Sequence, residues 1–389
     1  MLLIASILLL SIVFFFYAAV TVVFGHLAKK YAEAMTEHQN DRTQAFPAAS
    51  LIVPTYNEER TIAKKIQNIE DLDYPDGKLE VIFVDGGSRD LTCEIIQQRS
   101  ADSNRRRMKL IRQNSRAGYN SAIAEGLSHA SNDIIVLTDA GSYQDAAAVR
   151  NLVGNFHDPV VGAVVGGQRV LNAKKGFVPK LEEAYWGFYE KSRMAESYID
   201  SISVAKGECM AVRKEICEKA LSQNKGFVAK GSFDMNVIFE ARKQGYKAKF
   251  EPTALFFEYA PETLRERFQQ KTRRAVNQIQ SMLLFRGMFL NRRFQNFGLI
   301  ILPLQYLSLL LFPWVFIFGS LTFLLTALFN SHVFLMFGAL TGAAAVAFAL
   351  KRHVAVSFLL SQISLALATL YILLGRTNSF IDIIPSTRQ

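Results

Sequence analysis

Residues 50–58 read Ser-Leu-Ile-Val-Pro-Thr-Tyr-Asn-Glu, a short apolar run that ends in a polar turn. A continuous apolar run of this length is typical of a strand buried on both faces of a parallel sheet. The strand candidates are Ser50–Val53, Glu80–Val84, Lys109–Ile111 and Ile134–Leu137, and the helix candidates between them are Glu59–Ile69, Leu91–Gln98 and Ala117–Ser128. This alternation predicts an α/β domain with a mostly parallel sheet.

Polar residues follow three of these strand candidates: residues 54–58, 85–88 and 138–141. Because the carboxyl ends of parallel strands meet at one edge of a sheet, we expect Asp85 and Asp139 to lie on the same rim, where ligands bind. The alternative is that Asp85 and Asn57 only form turns or cap the next helix. A dinucleotide site is not indicated, because no G-x-G-x-x-G follows the first strand.

Long uncharged stretches flank this domain. Residues 1–27 contain no Asp, Glu, Lys or Arg, and this run is too long for a signal peptide, so residues 1–28 are predicted to be a transmembrane helix. Residues 294–375 are predicted to hold three further spans, interrupted at Lys351 and Arg352, and residues 376–389 form a tail. The positive-inside rule places residues 46–293 in the cytoplasm. If residues 298–330 hold two spans or a re-entrant segment instead of one span, the C-terminus is cytoplasmic as well.

The composition excludes several classes of protein. The net charge is +10, which we attribute to cytoplasmic residues facing anionic lipid headgroups rather than to nucleic-acid binding. The densest basic run, Arg105 to Arg107, lies in a polar segment and is expected to be a solvated loop. The three cysteines lack zinc-type spacing and are expected to be reduced. Hardly any ionisable residue lies in the C-terminal spans, which argues against a transporter.

Residues 84–90 read Val-Asp-Gly-Gly-Ser-Arg-Asp, and together with residues 50–58 they resemble the nucleotide-binding segments of the family-2 glycosyltransferases. The resemblance covers residues 49–280 and is to the membrane-integrated branch of cellulose, hyaluronan and poly-N-acetylglucosamine synthases. It implies a GT-A fold and inverting transfer from a nucleotide-diphosphate sugar, expected to be a UDP-sugar, to a glycan or polyprenyl-phosphate lipid in polysaccharide or glycoconjugate synthesis. The donor-binding residues that it implies are Pro54, Thr55, Tyr56, Glu58, Asp85, Arg116, Gly118 and Asp139.

The segment Thr138-Asp139-Ala140-Gly141 stands where the family usually carries Asp-x-Asp, so Gly141 replaces the second aspartate. The resemblance implies Mg²⁺ or Mn²⁺ at Asp139. A hard cation of this kind takes oxygen ligands, which phosphate and water can also supply.

The catalytic base is implied by the segment from Gly231 to Asn236, where the family's usual Glu-Asp reads Phe233-Asp234. We assign the base to Asp234, since one carboxylate suffices to deprotonate a hydroxyl. The alternative is a helix-capping role for this aspartate.

Residues 270–274 resemble the synthases' Q-x-x-R-W motif, with Arg274 in place of the tryptophan. The resemblance puts Gln270 at the acceptor, and Arg273 and Arg274 beside the diphosphate. Tyr185 and Trp186 are expected near the acceptor, or alternatively as interfacial anchors. The absent tryptophan favours transfer of a single sugar to a lipid carrier. A catalytically silent nucleotide-sugar-binding partner of a synthase is a further alternative.

Overall fold

The computed structural model describes residues 2–38, 46–103, 105–223, 226–329, 356–376 and 385–387. The strands in this part of the chain are β1 (Ala49–Thr55), β2 (Leu79–Asp85), β3 (Arg107–Arg112), β4 (Ile134–Leu137), β5 (Ser142–Gln144), β6 (Val161–Val170), β7 (Met210–Arg213) and β8 (Lys247–Glu258). The helices are α1 (Leu2–His38), α2 (Ile62–Glu70), α3 (Thr92–Asp102), α4 (Tyr119–His129), α5 (Ala148–Val153), α6 (Phe177–Ile199), α7 (Lys214–Gln223), α8 (Gly226–Ala229), α9 (Phe233–Lys243), α10 (Leu264–Leu284), α11 (Phe297–Leu328) and α12 (Val356–Leu373).

The strands form one mixed sheet in the order β3-β2-β1-β4-β7-β6-β8-β5. The first four are mutually parallel, as the sequence predicts, and Thr55 lies opposite Asp85 at the carboxyl ends of β1 and β2. Strand β7 is antiparallel to both of its neighbours, β6 is parallel to β8, and β5 is antiparallel to β8. The predicted α/β fold class is confirmed.

Helices cover both faces of the parallel half. Alternate residues of β1 enter different clusters: Ile52 packs in the cluster that contains α4 and α9, whereas Leu51 and Val53 pack in the cluster that contains α2 and α5. Burying a side chain of this size contributes about 1.5–3 kcal/mol. Helix α4 can approach β1 closely because Gly126 has no side chain. A Cβ at that position would lie 2.6 Å from the side chain of Ile52.

The basic run from Arg105 to Arg107 is not a solvated loop throughout, so that prediction was wrong for Arg106, which is buried, and for Arg107, which begins β3. The Arg106 guanidinium is buried and donates to the carbonyl oxygens of Leu72 at 2.7 Å and Tyr74 at 3.0 Å. Backbone carbonyl oxygens therefore replace the water that an arginine normally requires.

Three helices in the described ranges, α1, α11 and α12, are long and apolar enough to cross a membrane. Helix α11 contains two π-helical turns, which precede Pro303 and Pro313. Proline cannot donate a backbone hydrogen bond and breaks the regular α-helical pattern. A widened π-helical turn lets the helix continue past it. Another predicted C-terminal span falls on residues 330–355, outside the described residues.

Helix α1 connects the apolar helices to the sheet. Near its start, it packs on α11, where a Cβ at Gly319 would lie 3.2 Å from Leu10. Near its end, the buried Tyr31 donates its hydroxyl to the carbonyl oxygen of Phe250 on β8 at 2.7 Å. One helix therefore contacts both the apolar layer and the α/β domain.

Candidate active site

Asp139 lies in a tight turn directly after β4. The backbone N–H of Ser142 donates to the carbonyl oxygen of Asp139 at 3.3 Å and closes the turn. The carboxylate accepts a hydrogen bond from the hydroxyl of Tyr119, on α4, at 2.8 Å. Desolvation by burial, followed by repulsion from the Glu208 carboxylate, raises the pKa of Asp139 to about 7. The surroundings of this carboxyl group therefore disfavour its ionised form, chiefly because they remove water from it.

Asp234 lies in the first turn of α9. Ser232 occupies the N-cap position, so Asp234 is not the N-cap residue of this helix. Its carboxylate accepts hydrogen bonds at 2.9 Å from the backbone N–H groups of Gly207 and Met235. Burial raises the pKa of Asp234, and Glu208 adds to this increase. The helix start thus holds a carboxyl group of increased basicity in one orientation.

Tyr119 and Gly207 bring the two aspartates together. A Cβ at Gly207 would lie 2.7 Å from the Tyr119 hydroxyl oxygen and 3.6 Å from Cβ of Asp234. The same hydroxyl donates to Asp139, and Gly118, which precedes it, adopts a positive φ of 92°. The absence of a side chain at position 207 thus leaves room for the Tyr119 hydroxyl beside Asp234.

A cluster of four charges lies beside the aspartates. The Arg274 guanidinium contacts Glu208 at 3.3 Å and Glu258 at 3.5 Å, and the Lys206 ammonium contacts the same two carboxylates at 3.3 and 3.4 Å. Although burial opposes ionisation, Lys206 and Arg274 lower the pKa of Glu208. The predicted diphosphate residue Arg274 is thus held by Glu208, the carboxylate that also acts on Asp139. Arg273 precedes it and is half-buried.

The predicted acceptor residues form an adjoining layer. Trp186 is buried, with the ammonium groups of Lys206 and Lys271 at 4.2 and 4.5 Å from its ring centroid. Lys271 also lies 3.3 Å from the ring centroid of Tyr185. Gln270 is buried and precedes Lys271 on α10. These contacts are cation–π interactions, which stabilise buried ammonium groups.

Lys271 has an ionic partner in this layer, the Glu182 carboxylate at 2.9 Å, which also accepts from Arg267 at 2.7 Å. Glu182 and Arg267 are both almost fully buried. Because an unpaired charge is costly in such surroundings, the layer depends on this carboxylate.

The predicted donor residues at the ends of β1 and β2 lie in a second region. Asp85 accepts hydrogen bonds from the backbone N–H groups of Gly87 and Ser88 at 3.0 and 2.9 Å, as the turn alternative expects. Arg116 lies 4.2 Å from the ring centroid of Tyr56. Pro54 and Thr55 end β1. The predicted nucleoside residues thus lie at the carboxyl ends of β1 and β2, whereas Asp139 follows β4, which pairs with β1.

A polar cavity of about 350 Å³ opens beside these two strand ends, between the loops after β1 and β2. It is lined by Asn57, Glu58, Glu59, Arg60, Thr61, Arg89 and Asp90. Glu58 accepts a hydrogen bond from Thr61 at 2.7 Å, which holds its carboxylate at the helix start.

No group of three or more His, Cys, Asp or Glu side chains in the described ranges is arranged to hold a metal ion. Asp139 nevertheless fits one, because burial and the nearby Glu208 carboxylate both disfavour its negative charge, which a bound cation would offset. The remaining ligands would be the donor's phosphate oxygens and water.

Sequence reasoning assigned no role to Tyr119, Lys206, Glu208 or Glu258. The available signal was the charged pair on either side of Gly207, directly before the apolar run of β7. A charged pair at that point does not reveal which strands its side chains will meet.

Residues 50–221 match the family model described as Glycosyl transferase family 2. The "Probable glycosyltransferase YdaM" of Bacillus subtilis (strain 168) is 28% identical over 254 residues, covering 64% of this chain and 59% of that protein. An "N-acetylglucosaminyltransferase" of Rhizobium meliloti (strain 1021) is 27% identical over 281 residues, covering 68% of this chain and 66% of that protein. The chain thus spans less than two thirds of either relative.

A "Poly-beta-1,6-N-acetyl-D-glucosamine synthase" of Staphylococcus aureus (strain COL) is 24% identical over 306 residues, covering 77% of this chain and 70% of the synthase. Among solved structures, a mannosyltransferase from Pyrobaculum calidifontis, in complex with GDP-mannose and Mn²⁺, superposes with a TM-score of 0.77. The sequence identity is 24%, and the superposition covers 97% of this chain and 100% of that one. This likeness shows the GT-A fold.

Proposed function

Because the chain carries a glycosyltransferase family 2 domain, we propose that it transfers a sugar, with inversion, from a nucleotide-diphosphate donor to a membrane-proximal acceptor. The observation that carries this proposal is the pairing of Asp139 and Asp234 across the Tyr119 hydroxyl and Gly207. The pair lies beyond the carboxyl end of β4, where α/β sheets bind ligands.

In the proposed reaction Asp234 accepts the proton of the acceptor hydroxyl. The hydroxyl oxygen forms a bond to the anomeric carbon, while the bond from that carbon to the phosphate oxygen breaks and the diphosphate leaves with the electron pair. The raised pKa of Asp234 suits a base, since proton transfer is efficient when its pKa approaches the operating pH. Arg274, held by Glu208 and Glu258, and Arg273 stabilise the departing charge.

Asp139 would hold Mg²⁺ or Mn²⁺, which when bound would neutralise charge on the diphosphate. The solved mannosyltransferase with the same fold is a complex with GDP-mannose and Mn²⁺, whereas two relatives are named for N-acetylglucosamine. We propose a UDP-sugar as the first donor to test and GDP-mannose as the second.

We propose that Gln270, Tyr185 and Trp186 lie on the acceptor side, with residues 46–293 as a cytoplasmic domain held by several membrane spans. Arg274 favours transfer of a single sugar, because its guanidinium is tied to two carboxylates where the synthases carry an aromatic platform. Product length measures this directly. Chains of many sugars from the purified protein would contradict single transfer.

The full chain, reconstituted in lipid nanodiscs, should be incubated with labelled UDP-N-acetylglucosamine, UDP-glucose and GDP-mannose, with Mn²⁺ and membrane lipid extract. Asp234→Asn should lower the rate by about 10²- to 10⁴-fold, the usual contribution of a general base, and retain donor binding. Asp76→Asn is the matched control, since its carboxylate is exposed and pairs with Arg105. Wild-type turnover in the Asp234 variant would refute the assignment, and no turnover with any donor despite binding would favour the silent partner.

A further inference from the structure

Helix α2 buries a lysine in its apolar face. The buried positions are Ile62, Lys65, Ile66 and Ile69, which recur at the spacing of one helical face. Lys65 has no exposed surface. Because an ammonium group loses its hydration when buried, it persists only where other groups replace that water.

Three neutral acceptors surround the ammonium group. Nζ of Lys65 donates to Oγ1 of Thr138 at 2.7 Å, to the carbonyl oxygen of Ser142 at 2.6 Å and to Oε1 of Gln144 at 2.5 Å. An ammonium group has three donors, so these bonds use all of them. All three acceptors belong to the segment that carries Asp139.

These bonds fix both ends of the turn around Asp139. Thr138 precedes the aspartate, and Ser142 closes the turn with its N–H bond to the Asp139 carbonyl oxygen. Gln144 extends the clamp, because its Nε2 donates to the carbonyl oxygen of Glu208 at 2.7 Å. One side chain therefore sets the backbone position of Asp139 and links it to Glu208.

The ammonium group also places a positive charge behind the aspartate. Burial lowers the pKa of Lys65 to about 7, and the attraction of Asp139 is the largest opposing effect. The charged groups that act on Asp139 from other elements are Glu208, Glu258 and Lys65, and the Tyr119 hydroxyl bonds to it directly. Lys65 is thus a cation that acts on Asp139 directly, whereas Lys206 and Arg274 pair with Glu208 and Glu258.

We propose that Lys65 is a positioning residue for the diphosphate end of the donor: its buried ammonium group clamps the Asp139 turn and fixes the carboxylate that faces the donor. This inference rests on the proposed function. A single carboxylate at this position, with Gly141 after it, depends on a rigid turn, because no second aspartate can compensate for its displacement. Displacing a catalytic group by about 1 Å can reduce the reaction rate by about 100-fold.

The test is Lys65→Met, which keeps the length of the side chain and removes the ammonium group. Lys64→Met is the matched control, since Lys64 is the adjacent residue on the same helix and is exposed. Binding of UDP and GDP to the full chain should be measured by calorimetry in detergent with Mn²⁺. We expect Kd for the bound nucleotide and the half-saturating Mn²⁺ concentration to rise at least about tenfold in Lys65→Met, with no change in Lys64→Met.

Kinetics separate positioning from a purely structural role. In Lys65→Met the donor KM should rise more than kcat falls, whereas lost folding alone would lower kcat in proportion to the folded fraction and leave KM unchanged. Thr138→Val removes one acceptor of Lys65 at nearly constant volume and should weaken nucleotide binding by a smaller factor than Lys65→Met. If Lys65→Met does not fold, Thr138→Val tests the positioning role in its place.

Wild-type affinity in the folded variants, with only a lower thermal midpoint, would overturn the positioning role and leave the proposed function intact. No nucleotide binding by the wild type would overturn both.

Discussion

Replacing Asp139 by asparagine should make the folded protein more stable while it abolishes sugar transfer. In the folded state, burial and the Glu208 carboxylate raise the pKa of Asp139 from 3.8 to about 7. The folded protein therefore holds a proton that the unfolded chain has already released between these two pH values. Stability falls as the pH rises through this window, and above it the full cost of the ionised carboxylate is present.

The magnitude follows from the difference between the two pKa values. At 1.36 kcal/mol per pKa unit, it corresponds to about 4 kcal/mol. Asp139 is only half-buried, so screening by solvent reduces this to about 2 kcal/mol. For a domain of 150–250 residues, each kcal/mol changes the thermal midpoint by about 2–4 °C, giving an increase of about 4–8 °C.

The assay is thermal unfolding of the purified chain in detergent with EDTA, followed by tryptophan fluorescence at pH 8 and pH 4. The gain in Asp139→Asn should be full at pH 8 and small near pH 4, where the carboxyl is protonated in the folded state and roughly half ionised in the unfolded state. Asp76→Asn should show no gain, because its partner Arg105 lowers the pKa of that carboxyl. An Asp139→Asn midpoint at or below wild type at pH 8 would refute the reasoning.

Two further substitutions test the packing around the site. Gly207→Ala should reduce the rate of sugar transfer by about 10- to 100-fold, because the added Cβ would lie 2.7 Å from the Tyr119 hydroxyl. An unchanged initial rate would show that transfer does not require this position of Tyr119. Glu182→Gln should lower the free energy of unfolding by about 3–5 kcal/mol, because it leaves the buried Arg267 without its carboxylate. Glu183→Gln, exposed and adjacent, is the control in denaturant titrations, and equal midpoints for the two variants would contradict this ion-pair account.

The parallel half of the sheet could be predicted from the sequence because its signal is local. Each of its strands is a short apolar run, and the polar turn after it marks the rim of the sheet, so Asp85 and Asp139 could be placed near strand ends from their positions alone. The order of β5 to β8 could not be derived in this way. Their antiparallel pairings join segments far apart in the sequence, as when Leu137 pairs with Met210.

The charged side chains of the site were harder to predict, because their partners come from different elements. Glu208 and Glu258 meet Arg274 only after β7, β8 and α10 have packed. Lys65 gave a misleading signal, since a lysine on a short helix is normally read as a solvent-exposed residue. Its role depends on three acceptors located 73–79 residues later in the chain.

The hydrogen bond from Tyr31 of α1 to the carbonyl oxygen of Phe250 fixes the first helix to the sheet at one position along its length. At 37 residues, α1 is about 55 Å long, whereas the hydrocarbon core of a bilayer is about 30 Å thick. In a bilayer that α1 crosses, the surplus would set the height of the α/β domain above the lipid, and the rotation of the helix would set the orientation of that domain. Inserting one residue before Tyr31 would turn that side chain by about 100°, whereas inserting seven would nearly restore its direction and lift the domain by about 10 Å. Height and orientation can therefore be varied separately.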